Sequence, residues 1–104
     1  MVTRGDICWC DLPDEGRRPV LILTRAEAIP VLSRVLVAPV TRRVRNIPTE
    51  VRLDSSDGMP EECAASFDNV RQVSRGLLDG PIATLSGPRM HDVCQALAIA
   101  TGCN

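Results

Sequence analysis

A chain of 104 residues, 44% hydrophobic and 24% charged, can bury roughly 60–70% of its unfolded surface in one core and has no room for a second. We read it as a single domain, residues 1–104. A net charge of −1 excludes a uniformly basic nucleic-acid binder. The longest apolar runs, 19–23 and 35–40, are too short to span a bilayer as a helix. No Arg- or Lys-led apolar leader opens the chain, so a cytoplasmic location is expected.

In chain order, residues 6–12 (DICWCDL) read as a strand with mixed faces, and 13–16 (PDEG) as a turn. Residues 19–24 (PVLILT) suit a strand buried on both faces. A polar, proline-containing connection, 25–33, leads to a third strand at 35–41, where Pro39 marks an exit, an edge or a bulge. Residues 49–53 alternate as a half-exposed strand does. The stretch 54–62 is turn-rich, 63–73 holds one or two short strands, and 78–85 forms the last one. Ser86 then offers an N-cap, with Pro88 in the first turn. Met90, Val93, Cys94, Leu97, Ala98 and Thr101 follow at helical spacing, and Gly102 can end the helix. The pattern predicts a mainly β protein with a C-terminal helix, a small antiparallel barrel.

Charge distribution says more than net charge. All 12 basic residues are arginine. Arg42, Arg43, Arg45 and Arg52 crowd one segment, and Arg17 and Arg18 are adjacent, while acids gather at 54–62. A nearly neutral chain can therefore carry a basic face. The five cysteines are odd in number, which argues against a disulfide framework. A zinc site wants paired cysteines and more histidine than the lone His91. We expect no metal and no cofactor, and read the cysteines as small buried hydrophobes. Trp9 is expected in the core or at a subunit interface.

Four blocks in order carry a resemblance: RGDIxWxDL at 4–12, GRRPVLIL at 16–23, VAPVT at 37–41 and FDNVRQV at 67–73. Together they resemble MazF/PemK/Kid-type toxins over nearly the whole chain. That resemblance implies an SH3-like barrel and a homodimer. It implies a metal-independent, sequence-specific endoribonuclease of a type II toxin–antitoxin system acting on single-stranded RNA. It also implies a MazE-like antitoxin that lays an acidic, extended segment over the basic groove. By match to the family's blocks, Arg18, Thr41 and Asp68 are the candidate catalytic residues. The first loop, 13–17, is shorter than in many relatives.

The chemistry suits these residue types. The 2′-hydroxyl of RNA is its own nucleophile and yields a 2′,3′-cyclic phosphate and a 5′-hydroxyl. Arginine holds phosphate oxygens in a planar fork and stays charged, and a threonine hydroxyl can donate to one. Arginine is a poor base, so Asp68 is the first candidate for proton removal and Glu15 the second. Arg17, Arg42, Arg43, Arg45 and Asn69 are candidate RNA contacts, which predicts salt-sensitive binding. Plainer readings stand beside these. Arg18 can pair with Glu15 or Asp14, Thr41 can cap a strand, and Asp68–Asn69 can be a turn. Arg42, Arg43 and Arg45 can form a solvated face. At the level of function, the alternatives are a toxin of the same architecture that poisons a protein target such as gyrase, and an RNA-binding barrel without activity.

Overall fold

The computed structural model describes residues 2–103. Among them, strands β1 (Asp6–Leu12), β2 (Gly16–Ile22), β3 (Arg34–Thr41), β4 (Glu50–Leu53), β5 (Cys63–Ser66), β6 (Arg71–Ser74) and β7 (Leu78–Thr84) precede helix α1 (Gly87–Thr101). All strand pairs are antiparallel, in the order β4-β5-β3-β2-β1-β7, with β6 also on β3. Strand β3 is the corner. Its first half pairs with β6, its middle with β2, and its last residues, Val40 and Thr41, with β5. One strand serving two sheets curls the assembly into a half-barrel.

The period-two alternation of β1, β2 and β3 feeds two separate apolar layers. Ile7, Leu21 and Ala38 point into the layer closed by β4, β5 and α1, together with Leu53, Phe67, Val93 and Ala96. Cys8, Cys10, Val20, Ile22, Val35 and Val37 point into the opposite layer, which Ile29 and Val73 close. The expectation that β2 is buried on both faces therefore holds at Val20, Leu21 and Ile22, each fully buried. Burial of each such branched side chain stabilises the fold by roughly 1.5–3 kcal/mol.

Two glycines shape the ladder. Gly16, at φ +76°, closes a three-residue hairpin loop whose strands meet at Leu12 and Gly16. This extends β2 three residues earlier than its apolar run indicates, so Arg17 and Arg18 lie on regular strand rather than in the loop. Gly80, at φ +143°, lies where the β1–β7 register shifts between Ile7 and Trp9. A Cβ there would stand 3.2 Å from the Ile82 amide nitrogen and 3.4 Å from the Cys8 Cα.

The helix begins and ends as its sequence indicates. The Ser86 side chain accepts from the Arg89 amide, and Gly102 caps the other end. Its buried face is rotated, however. Val93 and Ala96 are buried, and Met90, Leu97 and Ala100 pack beside them, whereas Cys94 and Thr101 are exposed. Cysteine burial holds for Cys8, Cys10 and Cys63 and fails for Cys94 and Cys103, which are exposed. The 25–33 connection is less polar than its composition suggests. Ala28 and Ile29 are buried in it, and the Arg75 guanidinium donates to the Ile29 carbonyl at 2.6 Å. No helix is long and apolar enough to cross a membrane among the described residues.

Candidate functional site

The ends of β1, β2 and β3 and the segment 59–63 surround an open cleft of about 700 Å³. Arg17, Arg18, Thr41, Arg42 and Arg43 all line it, so two sequence blocks more than 20 positions apart converge on one surface. Trp9, Pro19, Pro39, Glu15 and Glu61 line it as well. The convergence is a product of register. β2 pairs with β3 at Val20↔Pro39, which places Arg18, just before that point, near Thr41, just beyond it.

The cleft arginines are not equivalent. Arg17 is held by Asp79 at 2.9 Å and Asp11 at 3.7 Å. Arg42 meets Glu61 at 3.1 Å. Arg18 and Arg43 are exposed, and the side chain of neither makes an ion pair or hydrogen bond among the described residues. Every other arginine of the described chain is engaged by a carboxylate, a carbonyl or both. The Arg18 pairing with Glu15 or Asp14 open to it on sequence grounds is not made: Glu15 is taken by Arg71 at 2.6 Å. The Thr41 hydroxyl oxygen accepts from the Arg43 amide at 3.1 Å. Its own hydrogen is thereby left to donate outward, while the bond fixes the turn that presents Arg43.

The remaining predicted residues lie apart from this cleft. Asp68 and Asn69 sit on a 3₁₀ turn, Phe67–Asn69, after β5. Phe67 is buried in the layer beneath α1, and the turn packs against that helix, which carries Asp68 away from Arg18. Its carboxylate accepts from the Thr49 hydroxyl at 2.6 Å, and Asn69 donates to the Ser66 hydroxyl at 2.9 Å. Arg45 is bound twice by Glu50, from its amide at 3.0 Å and its Nε at 3.1 Å. The single chain thus brings together Arg17, Arg18, Thr41, Arg42 and Arg43, and leaves Asp68, Asn69 and Arg45 outside. Of the two candidate bases, the one that lines the cleft is Glu15, the second rather than the first. His91 is exposed on the helix.

Of the two places expected for Trp9, the core is not where it lies. It is 38% exposed and lines the cleft with the Arg17 guanidinium 5.4 Å from its ring centroid. Its neighbours on β1 are sealed: burial, then the charges of Asp6 and Asp79, push the Cys8 thiol up to about 11. Burial likewise raises Cys10 and Cys63. Cys63 borders the cleft, and this shift disfavours its thiolate.

Known proteins resemble this chain along nearly its whole length. A probable endoribonuclease MazF5 of Mycobacterium tuberculosis is 41% identical over 102 residues, covering 97% of this chain and 94% of that protein. The solved structure of the M. tuberculosis toxin MazF-mt6 superposes with a TM-score of 0.88 at 32% identity, covering 95% of this chain and 98% of that one. An endoribonuclease from a mycobacterial species, solved in complex with its cognate antitoxin, gives a TM-score of 0.88 at 26% identity over 100% of this chain and 98% of that one. The family model for PemK-like, MazF-like toxins of type II toxin–antitoxin systems matches residues 3–101. By that match, and in keeping with the half-barrel and its C-terminal helix, the chain belongs to the PemK/MazF toxin family.

Proposed function

We propose that this protein is the toxin of a type II toxin–antitoxin pair and cuts single-stranded RNA as a metal-independent, sequence-specific endoribonuclease. The observation that carries the reading is the pair Arg18 and Arg43, without side-chain partners among the described residues, facing one cleft with the Thr41 hydroxyl. An exposed arginine normally finds a carboxylate cheaply, and most of the others here have done so. Two left without one on the same concave surface make a receptor for an anion from outside the chain.

In this reading Arg18 and Arg43 hold the non-bridging oxygens of the scissile phosphate and stabilise the charge that builds there, with Thr41 donating a third bond. Glu15, oriented by Arg71, takes the proton of the attacking 2′-hydroxyl. The bond to the 5′ oxygen breaks, that oxygen leaves with a proton from solvent, and a 2′,3′-cyclic phosphate remains. Arg42 tracks the strand once Glu61 releases it. A cognate antitoxin with an acidic, extended segment competes for the same arginines, as the antitoxin complex of the mycobacterial relative supports.

The protein works in the cytoplasm as one domain and as a homodimer. Val31, Leu32 and Leu77 are exposed at 79%, 42% and 38% on segments that Arg75 ties together through the Ile29 and Ser33 carbonyls. They offer an apolar patch that a second copy would cover. The test is incubation with a long single-stranded RNA in excess EDTA, with fragment ends mapped. Cuts at a short recurring motif that leave 5′-hydroxyls, absent with Arg18→Ala and Thr41→Ala, are expected. Intact RNA from a folded, antitoxin-free sample would overturn the assignment.

A further inference from the structure

We propose that Trp9, with the Arg17 guanidinium laid over it, is the platform on which a nucleobase beside the cut stacks, and so helps set which sequence is cut. The inference rests on the RNA-cutting reading of the same cleft.

Three observations lead there. The chain has one tryptophan, one phenylalanine and no tyrosine. Phe67 is 1% exposed in the core while Trp9 is 38% exposed, so Trp9 is the sole aromatic ring open to the cleft. A large apolar ring left that accessible in a small protein costs hydration free energy that a bound flat partner recovers. The second observation is the state of Arg17. Its charge is met on the side by Asp79 of β7 at 2.9 Å and Asp11 of β1 at 3.7 Å, which also strengthen its hold on its proton. That makes it a poor receptor for a phosphate. The two acids, from two strands, fix a planar cation 5.4 Å above the indole centroid, and together the two side chains present a flat, polarisable surface.

The third is the company they keep. Trp9 lies opposite Pro19 on β2, one residue from Arg18, and both line the cleft that holds Arg43 and Thr41. Single-stranded nucleic acids are gripped by this combination, cations along the backbone and an aromatic surface for the bases. The cleft thus divides its arginines by task. Those without partners meet the phosphate, and Arg17, held by two acids, supports the ring that meets a base.

Because Trp9 is the only tryptophan, its fluorescence reports on this site alone. The probe is a 2′-O-methylated RNA strand spanning a mapped cut site, which binds without being cut. Its binding is expected to quench Trp9. Abasic residues placed at each position in turn should remove the quench at one position while anisotropy still reports binding. On cleavable RNA, Trp9→Phe should retain kcat/KM within about threefold. Trp9→Leu should lose roughly 10- to 100-fold, chiefly in KM, and relax base preference at that same position. Quenching that survives every abasic strand, or a Trp9→Leu variant that matches Trp9→Phe in rate and preference, overturns the platform and leaves the ribonuclease reading standing. Wild-type protein that neither binds the probe nor cuts RNA overturns both.

Discussion

Arginine is used in two opposite ways at the two ends of this molecule. Between α1 and β4, Arg89 is fully spent. Its Nε binds Asp57 at 2.8 Å, one terminal nitrogen binds Asp92 at 2.7 Å, and the other donates to the Arg52 carbonyl. The side chain is 31% exposed and that of Asp57 only 6%, so the fork closes a seam between the helix and the 54–58 turn. At the cleft, Arg18 and Arg43 are exposed and bind nothing within the described chain. Paired arginines hold neighbouring segments together, whereas an arginine with no internal partner keeps its planar fork free for an anion from outside. The contrast locates function more sharply than arginine clustering does, since Arg45 and Arg52 belong to the same run as Arg42 and Arg43 yet are paired to Glu50 and Glu62.

The largest effect that would sharpen this contrast is the loss of Arg18. Arg18→Ala should lower kcat/KM for RNA cleavage by roughly 100- to 1,000-fold, the scale of removing one donor to a charged transition state. Its melting temperature should match wild type, because no internal bond is lost. A variant that melts early, or still cuts well, would break the comparison at its functional end.

Arg89→Ala should do the reverse. Removing the guanidinium leaves the nearly buried Asp57 carboxylate with the Asp54 amide but no counter-charge, at a cost of about 2–3 kcal/mol in urea unfolding. Activity of the folded fraction should be retained. Wild-type stability in this variant would show that the seam is held by apolar packing alone.

These two ends also show what the sequence makes legible. Strands β1 to β3 are readable because alternate residues enter two apolar layers, and that constraint fixes both their type and their register. The Arg18 and Thr41 blocks are readable only through their resemblance to family blocks, and it is the register of β2 on β3 that brings the two together. Trp9 is not readable, because alternation assigns it to the face of Ile7 without saying where the core under that face ends. It ends between them, with Ile7 fully buried and Trp9 38% exposed. The helix face is misread for a similar reason. Ala96, Ala98 and Ala100 give little directional weight, so Cys94 and Thr101 tip the apparent stripe away from Ala96 and Ala100. Asp68 is recognisable as part of a motif, but its position follows from Phe67 docking under α1, a tertiary choice that no local pattern encodes.

A smaller effect tests the division of the thiols. With Cys8, Cys10 and Cys63 buried and shifted upward, little of their population is thiolate near neutral pH. Alkylation of the native protein, read by mass spectrometry, should therefore label Cys94 and Cys103, and denaturation should admit the other three. Rapid native labelling of Cys63 would show that the cleft opens more deeply than its resting geometry.

The central claim, that the vacant cleft arginines take RNA phosphates, is tested most directly by the salt dependence of binding to an uncut, 2′-O-methylated RNA strand. Each phosphate contact on a single strand contributes about 0.7 to the slope of log K against log salt. Because Arg18 and Arg43 meet the same phosphate, the double variant Arg18→Ala/Arg43→Ala should flatten that slope by about 0.7 relative to wild type, and Arg89→Ala should leave it unchanged. An unaltered slope in the double variant would contradict the account.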